Sequence, residues 1–357
     1  MKYIARMELK PGMVTAEDIL NYKNEIIVSA NTKINATIIE KLTRQSIMAV
    51  PIKEEEDFAT THNEKIRISD GFKKFESIYN VYFPVFKGYM MGALTSTQPI
   101  IMQQLIDVYN GIIASVPSGE LLLEYLYNMR PPADEDMILH HCLNSAIVAG
   151  VFGSFINLSL EDQMLFIQCA FIYDIGKFSI PNQLLTKPQR LTREEYMIVI
   201  QHTVIGYDFL KNMGDFNEHV LNVAMQHHER CDGSGYPAGL KGDEIDIFAQ
   251  YIAIVDSYVA MTSPRHYRKK MNAFQIIANY EAVGLDKYNK QALSTILLRI
   301  ANSQMGFSIK LNNGKRGTVL HINENALSRP VLLMNETNAP LDLTSSAGNR
   351  LYIEEVY

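Results

Sequence analysis

The sequence predicts a mainly α-helical protein, a helical bundle flanked by a small α+β N-terminal unit and a short β-rich C-terminal tail. Three observations predict it. Apolar residues recur at helical spacing almost without interruption through residues 131–303. Before residue 53 the apolar runs shorten to strand length around one amphipathic stretch, and after residue 304 they shorten again between Asn-Gly and Gly-Lys turn signals.

Taken in order, residues 1–53 form the α+β unit: "IIVSANTKI" reads as a strand and turn, "ATIIEKLTRQ" as a short amphipathic helix and "IMAVPI" as a closing strand. The polar, acidic "KEEEDFATTHNEK" (53–65) reads as a linker. From about 66 to 130 the pattern is helical, with breaks expected at Pro84, Pro99 and Pro117, so 54–130 is a linker and helical region. Residues 131–303 form the main helical domain, interrupted at "MTSPRHYRKKM" and by a Gly-rich loop at 232–242. In 304–357, "FSIKLNNGKRGTVLHIN", "PVLLMNE" and "RLYIEEVY" read as short strands.

At 357 residues the chain has ample material for a sizeable core, and 47% hydrophobic with 20% charged residues is a globular composition. The net charge of -6 argues against a nucleic-acid polymer as partner, while leaving room for a local basic pocket around one small phosphorylated ligand. Cys142, Cys169 and Cys231 form no CxxC pair and read as reduced thiols of a cytoplasmic protein. The opening "MKYIARMELKPGM" lacks the apolar core of a secretory signal. "SAIVAGVFGSFINLSL" (145–160) is short for a membrane span and is interrupted by Ser154 and Asn157, so it reads as a buried helix.

Five places set metal-type ligands into apolar helical context. His141 follows His140 in "MILHHCLNSAIVAG"; Asp174 lies in "AFIYDIGKFSIP"; His202 lies in "EYMIVIQHTVIGYDFL", read as one helix started by a Thr192–Glu195 capping box. His227 and His228 lie in "VLNVAMQHHER", and Asp256 in "AQYIAIVDSYVAM". A lone histidine on an apolar face is more often a hydrogen-bonded core residue, whereas an unpaired buried carboxylate costs several kcal/mol. Five such sites between residues 141 and 256 favour a metal cluster, because imidazole and carboxylate are ligands for iron, manganese or zinc. Adjacent helical residues point about 100° apart, so His227 and His228 share a metal only near a helix edge.

After His228, "ERCDGSGYPAGLKGDEI" carries ordinary turn signals, but Tyr236 between Gly235 and Pro237 is a rigid aromatic on a tight turn, suited to walling a pocket. "TSPRHYRKK" places Arg265, Arg268, Lys269 and Lys270 shortly after Asp256. Such a run is commonly a solvated face, and here it is also placed to clamp a phosphate.

"HHERCDGSGYPAGLKGDEI" resembles the signature of the HD-GYP family, bacterial phosphodiesterases that hydrolyse cyclic di-GMP. The resemblance runs from about 134 to 303 through "HCLNSA", "YDIGKFSIPNQLLTKPQRLTREEY", "QHTVIG" and "IAIVDSYVAMTSPRHYR"; "MELKPGMVTAEDI" and the β-tail are similar to the flanks of one subgroup. It implies an HD-type bundle holding two divalent metal ions, iron or manganese. Asp174 would bridge them. His202, His227 and His228 would complete one site, and His141, Asp174, Asp256 and the histidine of the HD pair the other. It further implies Asp174 and Lys177 as catalytic residues, Lys177 on a phosphate oxygen, Arg265 and Arg268 on the substrate phosphates, and Gly235, Tyr236 and Pro237 as the name-giving loop. The implied reaction is metal-assisted hydrolysis of cyclic di-GMP to pGpG, with GMP after a second cut.

Two departures qualify this expectation. Met137 stands where some members carry a glutamate for a third metal, which argues for two metals at most. Tyr173 stands where the family has histidine, and a phenol with a pKa near 10 binds a metal well only once deprotonated, so one site is weakened. The competing expectation is a catalytically degenerate module that binds cyclic di-GMP or partner proteins, including GGDEF diguanylate cyclases. A general HD phosphohydrolase is disfavoured by the intact GYP loop. The first 130 residues leave sensing, homodimerisation and positioning all open.

Overall fold

The computed structural model describes residues 2–21, 25–53, 61–95, 98–130, 136–263 and 270–357. The chain divides into two compact units, 1–70 and 71–357.

In the first unit, β1 (Lys2–Ala5), β2 (Ile19–Leu20), β3 (Ile26–Val28), α1 (Ala36–Arg44) and β4 (Ala49–Ile52) follow in order. β1 pairs antiparallel with β4, and β2 with β3. The Asn35 side chain accepts from the Ile38 amide and starts α1, while Leu42 and Ile34 join Ile27, Val28, Val50 and Ile52 in a small core. The expected strand, helix and strand are thus β3, α1 and β4. Of the expected linker, 54–60 lies outside the described residues. His62 onward belongs instead to α2 (His62–Ile68), started by a Thr61–Glu64 capping box within that polar run.

α3 (Asp70–Leu94) begins at the last residue of the first unit and belongs otherwise to the second, where α4 (Met102–Ile113) and α5 (Gly119–Asn128) follow. Pro99 and Pro117 fall between helices, as expected, but Pro84 sits inside α3 without ending it. Its ring is on the exposed face, where the Asn80 carbonyl that loses its partner reaches water. Then come α6 (Met137–Phe155), α7 (Leu160–Ile172), α8 (Asn182–Leu185), α9 (Arg193–Val199), α10 (His202–Met213), α11 (Glu218–Gln226), α12 (Ile247–Thr262), α13 (Ala273–Val283) and α14 (Lys290–Asn302).

α6 is the axis of the bundle. It is apolar on every face, the pattern of a core helix, and is packed by α4, α5, α7, α12 and α14. By length and composition it is apolar enough to cross a membrane, yet it is largely buried among these neighbours. Truncating a fully buried side chain here, such as Phe152, costs about 3–5 kcal/mol.

The tail forms β5 (Ser308–Leu311), β6 (Arg316–His321), β7 (Val331–Met334), β8 (Pro340–Asp342) and β9 (Ile353–Val356), an antiparallel sheet in the order β8-β7-β6-β5-β9. Ile309 and Leu311 point inward from β5, and Gly314, at φ +83°, closes the turn into β6. β8 is absent from the sequence-based expectation because Pro and Asp are poor strand formers; Pro340 is tolerated because β8 is an edge strand.

Candidate functional site

The site is built where α7 stops. Tyr173 caps α7, and Asp174 opens a 3₁₀ helix over Ile175–Ser179. Side chains three apart eclipse in a 3₁₀ helix, so Lys177 stands directly over Asp174, its Nζ 2.5 Å from Oδ2. A Cβ on Gly176 would collide with the His202 carbonyl, so glycine lets this turn lie against the start of α10.

The single helix expected through "EYMIVIQHTVIGYDFL" is two helices. α9 starts at the Thr192–Glu195 capping box and ends at Val199, and α10 begins at His202. The break frees the Val199 carbonyl, which accepts the His202 Nδ1–H at 2.7 Å. His227 ends α11 and donates Nδ1–H to the Val223 and Ala224 carbonyls at 3.0 and 3.2 Å. A carbonyl only accepts, so in each neutral ring the proton is on Nδ1 and Nε2 is a bare lone pair. These two Nε2 atoms are 3.2 Å apart and lie 3.6 and 3.4 Å from Asp174 Oδ1. Oδ1 is itself buried and has no hydrogen-bond partner among the described residues. His228 lies in the turn beyond α11, so the 100° separation of helical neighbours does not apply to it, and its ring centroid is 4.2 Å from that of His227.

The ligand atoms of Asp174, His202, His227 and His228 all fall within 4.8 Å of one another. A buried, unpaired carboxylate oxygen facing two bare nitrogens is a repulsive arrangement that a cation converts into an attractive one. These residues fit a metal ion.

On the other side of Asp174 the chemistry differs. The Tyr173 hydroxyl lies 2.7 Å from His141 Nε2, donates to Asp256 Oδ1 at 3.1 Å and is 3.2 Å from Ser145 Oγ. His141 Nε2 is 2.9 Å from Asp256 Oδ1 and 3.7 Å from Asp174 Oδ2. His141, Asp174 and Asp256 also bring ligand atoms within 4.8 Å, but two of the three are hydrogen-bonded to the phenol. Burial, reinforced by Asp256 and Asp174, pushes the Tyr173 pKa well up, so it is a phenol rather than a phenolate.

Burial alone would raise the pKa of Asp174. The Lys177 ammonium outweighs this, and the carboxylate stays ionised. For Asp256 burial is likewise outweighed, by the His141 hydrogen bond and Lys177. Lys177 is held charged because Asp174 and Asp256 overcome its burial. Burial lowers His202 to about 4 and His228 well below its usual range, so both are neutral at neutral pH. Two carboxylates against one ammonium leave the centre short of positive charge.

The loop after the double histidine is locked by a residue that sequence reasoning missed. Glu229 is 2% exposed, and its carboxylate accepts from the amides of Ala238, Gly239 and Leu240. A Cβ on Gly235 would collide with the backbone of Glu229 and His228. The Tyr236–Pro237 peptide is cis, and the Tyr236 ring stacks on His228 at 4.7 Å between centroids. A buried acid just before a glycine-rich loop was the available signal. Ser145, inside an apolar run, gave none.

The cluster opens into a cavity of about 580 Å³, within the range of small-ligand sites. Arg130, Lys177, Lys187, Arg190 and Lys270 line it. Lys187 pairs with Glu195, and Lys270 binds the Tyr127 and Met129 carbonyls at the end of α5. Met137, at the start of α6, also faces the cavity. Of the expected site residues, Arg265 and Arg268 lie outside the described residues; Tyr236 lines the cavity, with Gly235 and Pro237 shaping its turn.

Residues 148–290 match the HD domain family. Over 159 residues the chain is 33% identical to a cyclic di-GMP phosphodiesterase of Pseudomonas aeruginosa, covering 44% of this chain and 38% of that protein. It is also 33% identical over 159 residues to a 3′3′-cGAMP-specific phosphodiesterase of Vibrio cholerae, covering 44% and 36%. The chain thus spans less than two fifths of the length of these relatives. A solved HDG"Y"P protein from Bdellovibrio bacteriovorus superposes with a TM-score of 0.52 over 84% of this chain and 99% of that one, at 12% identity, which shows a shared fold. Residues 148–290 thus match an HD domain, and the chain is similar in sequence to cyclic dinucleotide phosphodiesterases and in fold to an HDG"Y"P protein, with Tyr173 directly before Asp174.

Proposed function

We propose that this chain is a metal-dependent phosphodiesterase that hydrolyses cyclic di-GMP to pGpG, with GMP as the product of a further cut. One observation carries the reading: the orphaned, buried Asp174 Oδ1 facing the bare Nε2 atoms of His202 and His227. Asp174, His202, His227 and His228 would hold one divalent ion, iron or manganese by ligand type. A second ion at His141, Asp174 and Asp256 would require the Tyr173 phenol to give up its proton and its hydrogen bonds. Bound, the metal supplies Lewis acidity toward water and phosphate.

The chain's own residues supply the rest. Lys177, kept charged by Asp174 and Asp256, offers an ammonium to a phosphoryl oxygen. The basic lining of the cavity draws in a dianionic nucleotide, and the sequence resemblance adds Arg265 and Arg268, outside the described residues, as further phosphate ligands. The Tyr236–His228 stack, fastened by Glu229, gives the phosphate a rigid wall. Tyr173, an un-ionised phenol beside His141 and Asp256, keeps a proton where a metal-bound histidine would have none.

The test is purified protein loaded with iron or manganese and supplied with cyclic di-GMP. Formation of pGpG that is lost in Asp174→Ala supports the reading, and no pGpG above that control overturns it. The hydrogen bonds that tie His141 and Asp256 to Tyr173 favour a second reading, in which the module binds cyclic di-GMP without turnover. Calorimetric binding with no product would establish that reading instead.

A further inference from the structure

Four residues along α6 from His140, and one turn beyond His141, Asn144 joins a polar trio in an otherwise apolar part of the cavity wall. Tyr79 of α3, 1% exposed, donates its hydroxyl proton to Asn144 Oδ1 at 2.8 Å, and its oxygen lies 3.0 Å from His140 Nδ1. The hydroxyl has one proton to give. Since Asn144 Oδ1 can only accept, that proton is committed there, and the His140 contact must be Nδ1–H donating to the tyrosine oxygen. Phe83 stacks on His140 with centroids 3.7 Å apart and fixes the plane of the ring. The trio therefore leaves one donor, the Asn144 amide NH₂, and one bare acceptor, His140 Nε2, each without a hydrogen-bond partner among the described residues and neither fully buried. Residues four apart share a helix face, so the two groups lie side by side.

We propose that His140 and Asn144 form a guanine-reading subsite, with Tyr79 as its positioning residue. A side-by-side donor and acceptor complements the Watson–Crick edge of guanine: O6 accepts from Asn144 Nδ2, and N1–H donates to His140 Nε2. Adenine presents the opposite order, an amine donor at C6 and an acceptor at N1, and is mismatched at both points. The subsite flanks His141, with His140 directly before it and Asn144 one helical turn beyond, so the base of a nucleotide would be read beside the place where its phosphate is held. The inference rests on the proposed function in taking the ligand to be a cyclic dinucleotide, and it adds how the base is chosen.

The experiment measures calorimetric affinities of the metal-loaded full chain for cyclic di-GMP, 3′3′-cGAMP and cyclic di-AMP, with metal content measured alongside. The unaltered chain is expected to prefer cyclic di-GMP to cyclic di-AMP by roughly 10- to 100-fold, the scale of one good two-point base contact. Asn144→Ala should reduce that ratio to near one while metal content is retained. Tyr79→Phe, which keeps the ring packing, should reduce it in part, and it provides the reading if Asn144→Ala fails to fold. Equal affinity of the unaltered chain for all three ligands, or undiminished discrimination in both variants, overturns the subsite and leaves the proposed function standing. Failure of the unaltered chain to bind any of the three overturns the proposed function as well.

Discussion

On one side of Asp174, Oδ1 faces the bare nitrogens of His202 and His227 with no proton among them. On the other, Oδ2 faces Lys177 and a cluster in which the Tyr173 hydroxyl already bonds His141 and Asp256. Both sides draw on histidine and aspartate, yet one is short of positive charge and the other is satisfied by a phenol. A metal site is defined less by its residue inventory than by whether anything other than a cation can quiet its lone pairs. A single phenol, Tyr173, is what places that side in the second condition.

The largest expected effect tests the bridge between the two sides. Asp174→Ala should abolish metal retention and lower turnover by on the order of 10³-fold or more. It should also lower the urea midpoint, because the part-buried Lys177 loses its nearest carboxylate. Retained metal in this variant would break the comparison at its root.

Next comes the asymmetry itself. His227→Ala should empty the centre, whereas His141→Ala should leave most of the metal in place, both read by elemental analysis of protein purified identically. Equal losses would mean that the two sides hold metal alike. Glu229→Ala leaves three loop amides without their acceptor and should cost about 2–3 kcal/mol of stability, with weaker cyclic di-GMP binding read by calorimetry.

The smallest effect is in the pH dependence of the metal-free protein. Burial sets His202 and His140 at about 4 in the folded chain, below the ordinary 6.5. Between those values the unfolded chain binds protons that the folded chain refuses, so stability is fully present above pH 6.5 and falls as pH drops toward 4. Each group contributes at most about 3 kcal/mol over that window. Urea midpoints across it should show the loss, and His140→Gln should make the slope shallower. Unchanged stability would contradict the burial of these rings.

The helical bundle, the clustering of histidines and aspartates and the glycine-rich loop were legible because they are carried by local patterns: helical spacing, capping residues and an ordered motif. The residues that decide the chemistry were not, because their meaning depends on where chain breaks fall. The interruption between Val199 and His202 frees the carbonyl that sets the His202 tautomer, and nothing in "IVIQHTV" marks it. The 3₁₀ turn that stacks Lys177 on Asp174 reads in sequence as one more helical turn. Pro84 inside α3 misleads in the other direction, since tolerance of a proline depends on which face it occupies. Tyr173 was visible as a departure, but that its hydroxyl would bond both His141 and Asp256 follows only from packing α6, α7 and α12 together.

Metal stoichiometry of the unaltered chain against Tyr173→His tests the central claim most directly. With iron or manganese loading, about one ion per chain is expected for the unaltered protein, and about two for Tyr173→His with higher turnover of cyclic di-GMP. Two ions in the unaltered chain, with the visible absorption of an iron-bound phenolate, would contradict the account, as would a Tyr173→His variant that gains neither metal nor turnover.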